Sequence, residues 1–246
     1  METADLPVAV RSRAHECSGC EQRAACLPAA LSEAERGRLG SVLVQGQRTV
    51  PRGQALFRLG DRCTSLYAVW SGSFKTSLLS SDGTEHVTGF VLSAELLGLD
   101  GMGSGRHHID AVALEDAQVC VIPLASLRAV MRYTSALQQQ FQLMFEQVYV
   151  RHQETLSMLG SRSADERVAA FLIDMAQRLH ARGSPASSVL LRMTRDDIGN
   201  FLGLTVETVS RTLSRFQASR LLDVQHRMIR FVDLPGLHRL VNGETG

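Results

Sequence analysis

Residues 194–216 read Thr-Arg-Asp-Asp-Ile-Gly-Asn-Phe-Leu-Gly-Leu-Thr-Val-Glu-Thr-Val-Ser-Arg-Thr-Leu-Ser-Arg-Phe. Thr194 is a suitable N-cap for a first helix, and Gly203 is suited to end it. Thr205 can cap a second helix that begins at Val206 and runs to about residue 219. Two helices joined by a short glycine turn are typical of the helix-turn-helix motif.

The second of these helices carries polar side chains on the face that its apolar residues leave outward. These outward residues are Glu207, Ser210, Arg211 and Arg215, with Thr205 at the start of the helix. Arginine can donate two hydrogen bonds to guanine, glutamate can accept one from cytosine, and serine can bind a base edge or a phosphate. Val224 to Val232 predicts a β-hairpin wing beside the helices. A helical hairpin with a solvated charged face is the alternative to a DNA-binding domain over 161–246.

The other informative end of the chain is residues 1–30, where Cys17, Cys20 and Cys26 form a C-x2-C-x5-C pattern. A closed tetrahedral zinc site and a cubane iron–sulfur cluster each need one more ligand than these cysteines supply. The spacing leaves Cys120, Cys63 and His15 as candidates, with a slight preference for Cys120, which precedes a long helix. A buried, unreactive thiol is the alternative for Cys63. Zinc and iron–sulfur chemistry both remain open from the spacing.

Between the two ends, short apolar runs alternate with glycine-containing turns. The segment 31–43 predicts a helix capped by Ser32. From Arg48 to Pro123 the spacing of the runs predicts short strands in an antiparallel β barrel or roll, so that 31–123 is one domain.

Residues 124–160 predict one long helix without proline or glycine until its last turn. Apolar residues recur along it at spacings of three and four, which favours pairing with a second helix. The predicted dimer contacts are Leu137, Phe141, Met144 and Val148. A helix that packs only on its own barrel is the alternative.

Composition excludes several classes of protein. The formal net charge is only +1, so DNA binding has to rest on local placement of charge rather than on the whole chain. The N-terminus lacks the apolar core of a secretion signal, and no apolar run is long enough to cross a bilayer. We therefore expect a cytoplasmic protein without membrane association. The sequence contains neither a nucleophile motif nor a phosphate-binding loop motif, so we do not expect an enzyme.

Taken in this order, the regions resemble the CRP/FNR superfamily, and specifically its FNR-type oxygen-responsive regulators. The resemblance extends from about His15 to Val232 and includes Ser65 to Val69, Gly89-Phe90, Leu97 to Gly105, Ala164 to Phe171 and Thr194 to Phe216. It implies an α+β fold with a cyclic-nucleotide-binding-like β roll, a dimerisation helix and a C-terminal winged helix-turn-helix.

The resemblance also implies a function and its residues. It implies a [4Fe-4S] cluster held by Cys17, Cys20, Cys26 and Cys120. It implies that Glu207, Ser210 and Arg211 recognise inverted repeats with TTGAT-like half-sites, and that Glu154 influences the balance between monomer and dimer. The expected function is an oxygen sensor that binds DNA as a homodimer, contacts RNA polymerase and controls genes for anaerobic metabolism. A zinc or thiol-redox site on the same fold is the alternative.

Two features depart from the family pattern. Cys63 has no counterpart in it, and Arg106 is followed by His107-His108 where nucleotide-binding relatives have an arginine followed by serine or threonine. We therefore expect no cyclic nucleotide to bind. The turn Ser81-Asp82-Gly83-Thr84 is the candidate contact with RNA polymerase.

Overall fold

The computed structural model describes residues 10–11, 17 and 20–243. These residues form two compact units. The first contains the described residues up to Gly83 together with Phe90–Glu146, and the second contains Thr84–Gly89 and the described residues from Gln147 onward. The division falls inside a helix rather than at residue 161, where the sequence predicts the last domain to begin.

A helix and two antiparallel sheets lie in the first unit, except for residues 85–89 of one strand, which belong to the second. Helix α1, Glu33–Leu43, is capped by Ser32 as predicted, with Glu35 completing a capping box. The strands are β1 Val10–Arg11, β2 Gly46–Val50, β3 Ala55–Phe57, β4 Ser65–Ser71, β5 Phe74–Leu79, β6 Glu85–Val91, β7 Leu96–Leu97, β8 Asp110–Ala113 and β9 Ala117–Pro123. They pair in the orders β1-β2-β9-β4-β7 and β3-β8-β5-β6, which confirms the predicted β roll.

One core connects the cysteine segment to the helices that follow the roll. It contains Cys17 and Cys120, apolar residues of α1, β4 and β9, and Leu137 and Met144 beyond the roll. Strand β9 lies between β2 and β4, with Cys120 opposite Gln47 on one neighbour and Ala68 on the other. Cys120 is therefore fixed in the middle of a sheet.

The predicted continuous helix over 124–160 is wrong, because the chain forms two helices. Helix α2 spans Leu124–Tyr133, and helix α3 spans Ser135–Ser161. Thr134 between them is buried and has an extended backbone, with φ −138° and ψ 97°. A β-branched side chain is stiff in a helix, so its burial in this position overrides the continuous helical pattern.

The apolar stripe that was predicted for dimerisation is corrected in part. Leu137 and Met144, 0% and 8% exposed, belong to the core of their own chain, and Phe141 packs against that core. Val148 is half-buried, and Glu154 is exposed. The sequence could not show which apolar residues pack on their own chain and which stay exposed, because α3 has apolar residues on more than one face.

Helix α3 leaves a different apolar stripe uncovered. Phe145, Tyr149 and Leu156 are 50%, 58% and 64% exposed, and His152 between them is also exposed. Spacings of four, three and four residues place these side chains on one helical face. We call Phe145, Tyr149, His152 and Leu156 the outer stripe.

The second unit contains the predicted helix-turn-helix. Its elements are α4 Ala164–His180, β10 Ser188–Leu190, α5 Arg195–Leu202, α6 Val206–Ala218, β11 Leu222–Gln225, β12 Met228–Phe231 and α7 Leu234–Val241. Strands β11 and β12 form the predicted wing, and β10 adds to the edge of β12. Among the described residues, no helix is both long and apolar enough to cross a membrane.

Candidate metal centre and nucleic-acid interface

The structure brings Cys17, Cys20, Cys26 and Cys120 into one neighbourhood, which we call the four-cysteine group. Cys17, Cys20 and Cys120 are buried, and Cys26 is half-buried against the same core. None of the four forms a disulfide. The N-terminal segment therefore reaches the centre of the β roll at the position of Cys120.

Electrostatic interactions connect every pair of thiols in the four-cysteine group. Burial raises the pKa of Cys17, and the nearby Cys20 raises it further. Burial and repulsion by Cys120, Cys17 and Cys20 together raise the pKa of Cys26. Burial raises the pKa of Cys120 to about 11, although a hydrogen bond from Gln47 opposes this rise. Thiolates in this place thus need positive charge beside them.

Two side chains that the sequence analysis did not single out act on the four-cysteine group. Gln47, which pairs with Cys120 across the sheet, donates from Nε2 to Cys120 Sγ at 3.9 Å. Arg36 on α1 attracts the Cys17 thiolate. Once Ser32 marks the start of α1, the spacing of four residues predicts that Arg36 and Gly40 lie on one face of the helix. The spacing does not show which residues pack against that face.

Cys63 is a separate, buried thiol outside the four-cysteine group. Its Sγ lies 3.4 Å from the carbonyl oxygen of Gly98, and a Cβ at Gly101 would stand 2.8 Å from that sulfur. Burial raises the pKa of the Cys63 thiol, and repulsion by Asp100 raises this pKa further. These contacts fit the prediction that Cys63 is a small packed side chain.

The described residues contain no group of three or more His, Cys, Asp or Glu side chains that could hold a single metal ion. A tetrahedral zinc ion binds thiolates at about 2.3 Å, which requires sulfurs about 3.8 Å apart. The thiolates of a [4Fe-4S] cluster each bind a different iron and need not converge on one atom. A donor set of four cysteines in an apolar core fits a cluster of this kind.

The exposed face of α6 carries the predicted DNA-reading residues. Glu207 and Arg211 are exposed, and Ser210 is half-buried between them. Hydrogen bonds from its own backbone N–H and from Thr205, with the attraction of Arg211, lower the pKa of Glu207. Glu207 is therefore an acceptor at neutral pH, beside an arginine donor.

Thr205 and Arg215 are exposed, and each also makes a contact within its own domain. The Thr205 hydroxyl caps α6 by accepting from the backbone N–H of Thr208 at 3.2 Å. Arg215 forms an ion pair with Asp165 at the start of α4, and the buried hydroxyl of Thr212 donates to Asp165 at 2.8 Å. Asp165 was not predicted, because the link depends on the packing of α4 against α6. The two residues hold the reading helix in place.

The turn of the helix-turn-helix depends on two glycines. Gly203 ends α5 with a left-handed backbone, φ 63°. Gly199 packs so closely that an added Cβ would lie 2.7 Å from the carbonyl oxygen of Leu204. Replacement of either glycine therefore strains the turn that orients α6.

We expect Gly199→Ala to lower the free energy of unfolding by about 1–3 kcal/mol, because the methyl group overpacks the turn. Chemical denaturation measures this loss. Gly160→Ala in α3 is the matched control: nothing lies within 4 Å of the added Cβ, and alanine favours a helix by up to about 1 kcal/mol. Equal stability of the two variants would contradict the close packing at Gly199.

Comparison with known proteins identifies the family. Residues 166–240 match the Crp-like helix-turn-helix domain, and residues 47–134 match the cyclic nucleotide-binding domain. The chain is 40% identical over 232 residues to the transcriptional regulatory protein Btr of Bordetella pertussis, covering 94% of this chain and 96% of that protein. The chain belongs to the FNR-type subgroup of the CRP/FNR superfamily.

A further relative of the FNR type and one solved structure match most of the chain. The fumarate and nitrate reduction regulatory protein of Escherichia coli is 38% identical over 224 residues, covering 91% of this chain and 89% of that protein. The solved structure of FixK2 from Bradyrhizobium japonicum covers 79% of this chain and 96% of its own, with a TM-score of 0.72 and 28% identity. This CRP/FNR chain is thus a DNA-binding transcriptional regulator and not an enzyme.

In this CRP/FNR chain, the loop of the cyclic nucleotide-binding domain is occupied by its own side chains. The His107 ring is buried and stacks on Phe57 with centroids 3.6 Å apart. Asp100 accepts from the backbone N–H of His108 at 2.6 Å, and Arg106 donates to the carbonyl oxygen of Gly60 at 2.7 Å. These polar groups bind one another, and the absence of cyclic-nucleotide binding stays a prediction.

Proposed function

We propose that this protein is a cytoplasmic, oxygen-responsive regulator that binds inverted-repeat DNA as a homodimer while a [4Fe-4S] cluster occupies the four-cysteine group. The observation that supports the proposal is the proximity of four largely buried thiols, of which Cys17 and Cys120 share a core with Leu137 and Met144 and Cys26 packs against that core. The regulator would control genes for anaerobic metabolism.

The residues that would hold the cluster are Cys17, Cys20, Cys26 and Cys120. Four thiolates beside one another in an apolar core repel, and iron supplies the positive charge that stabilises them. When bound, the cluster supplies a centre that oxygen oxidises and dismantles. One zinc ion bound by the same thiolates is the alternative for this site.

The chain's own residues transmit the state of this site. Bound thiolates tie the N-terminal segment to Cys120 in β9, and β9 runs directly into α2. The N-terminal segment contributes Leu27 and Leu31 to the core that holds Leu137 of α3. When the cluster no longer links the N-terminal segment to Cys120, we propose that this core loosens. Helix α3 then no longer holds the outer stripe in the orientation that dimerisation requires.

Dimerisation then controls DNA binding. An inverted repeat is bound through one reading helix of each subunit, so a monomer loses one half-site. The equilibrium between monomer and dimer has to change by only a few kcal/mol, which is within the range of metal-binding free energies. DNA-bound dimers would contact RNA polymerase through the exposed turn 81–84.

The proposal is tested by the affinity for a TTGAT inverted repeat, measured without air and again after exposure to air. We expect tight binding that air abolishes. Binding that does not respond to air would leave a DNA-binding regulator and contradict the oxygen response. Zinc in place of iron in the anaerobic protein would support the alternative site.

Replacement of Arg211 by alanine tests the reading face on the same DNA. We expect a loss of about 1–3 kcal/mol per half-site, and reduced discrimination at the guanine that the arginine contacts, because a bidentate base contact is removed. Arg239→Ala is the matched control, since Arg239 is exposed on α7 and pairs only with Asp233 among described residues. Equal losses for matched and mismatched DNA would contradict base recognition by Arg211.

A further inference from the structure

Arg36 is a partly buried cation on the face of α1 that meets the four-cysteine group. Gly40, one turn further along α1, is so close to Cys17 that an added Cβ would stand 3.2 Å from its Cβ and 3.5 Å from its Sγ. Residues four apart lie on one helical face, so Arg36 points to the same side of α1 as Gly40. The attraction between Arg36 and the Cys17 thiolate agrees with this placement.

The guanidinium of Arg36 is not satisfied by the described part of the chain. One terminal nitrogen donates to the carbonyl oxygen of Ala29 at 3.4 Å, in the short turn that follows Cys26. Its Nε is buried and has no hydrogen-bond partner among the described residues. A buried donor without an acceptor costs about 1–3 kcal/mol, and more when the group is charged. An anion at Cys17 would offset the cost of burying this cation.

We infer that Arg36 is a positioning residue that supplies positive charge beside the Cys17 side of the cluster and slows its reaction with oxygen. The inference rests on the proposed function, because neutral thiols would give the guanidinium no negative partner. A cluster held by four thiolates is net negative, so a fixed cation stabilises it.

The same charge changes the redox chemistry. Arg36 opposes the passage of an electron from the cluster to dioxygen, which is reduced to superoxide, because the centre left behind is more positive. It favours the reduced cluster for the same reason, and nearby charge is one of the factors that set the potential of an iron–sulfur cluster. Removal of the cation should therefore lower the reduction potential and speed the loss of the cluster in air.

The experiment compares the full-length protein with its Arg36→Gln, Arg36→Lys and Arg38→Gln variants, all purified without air. Arg38 is exposed on the same helix, so Arg38→Gln removes the same charge away from the thiols. We expect Arg36→Gln to have a lower midpoint potential and to bleach about tenfold faster at fixed oxygen concentration. Arg36→Lys and Arg38→Gln should remain close to the unchanged protein.

Equal potentials and bleaching rates for Arg36→Gln and Arg38→Gln would overturn the inference. If Arg36→Gln does not bind iron, the Arg36→Lys variant distinguishes a need for positive charge from a purely structural role of the arginine. Iron binding by the lysine variant supports the need for positive charge. Loss of iron binding in both variants, together with a lowered melting temperature of the iron-free protein, shows that the arginine has a purely structural role. An unchanged protein that binds no iron and sulfide contradicts the proposed function itself.

Discussion

Replacement of Cys120 by alanine is expected to remove iron and sulfide from the anaerobically purified protein and to abolish DNA binding that responds to air. Cys120 is the ligand that comes from the centre of the sheet, between β2 and β4. Without it, Cys17, Cys20 and Cys26 are one ligand short and are no longer tied to β9. Iron and sulfide analysis, followed by DNA affinity with and without air, measures both effects.

Cys63→Ala is the matched control for this prediction. Cys63 is also buried and free, but its sulfur contacts the carbonyl oxygen of Gly98 and not the four-cysteine group. We expect this variant to retain iron, sulfide and the response to air, with only the loss of stability that a small core truncation causes. Anaerobic iron content and DNA binding that are unchanged in Cys120→Ala would rule out Cys120 as a ligand.

The second large effect is expected on the outer stripe of α3. Tyr149→Asp or Leu156→Asp places a carboxylate among exposed apolar side chains that a second subunit would cover, and burial of an unpaired charge is strongly unfavourable. We expect a monomer whose affinity for the inverted repeat falls about a thousandfold, toward that of non-specific binding. Sedimentation without air and DNA titration measure these two results.

Val150→Asp is the control for the outer stripe. Val150 is also exposed on α3 but points away from the outer stripe, about 100° around the helix from Tyr149 and about 120° from Leu156. We expect this variant to remain a dimer and to retain iron. A monomer produced by Val150→Asp, or a dimer that persists in Leu156→Asp, would place the interface elsewhere.

The sequence predicted those parts of the fold that local signals determine. Thr194, Gly203 and Thr205 specify the caps and the turn of the helix-turn-helix by their own conformations, and the structure has each of them in that role. Ser32 similarly determines the start of α1. The polar turn around His226 separates β11 from β12 in the predicted wing.

Features that depend on distant packing could not be predicted. The break at Thr134 follows from burial of that side chain. Periodicity indicated a helix that pairs, but it could not show that Leu137 and Met144 face the chain's own core while Tyr149 and Leu156 remain exposed. The spacing of Arg215 predicts a DNA contact, but it could not show the ion pair of Arg215 with Asp165, fifty residues earlier.

The central claim is that the four-cysteine group holds an oxygen-sensitive [4Fe-4S] cluster. The most direct test is iron and acid-labile sulfide per chain after purification without air, with the visible spectrum recorded before and after air is admitted. We expect about four irons and four sulfides per chain, with a broad absorption band that bleaches in air. Zinc or no metal, and a spectrum that air does not change, would contradict it.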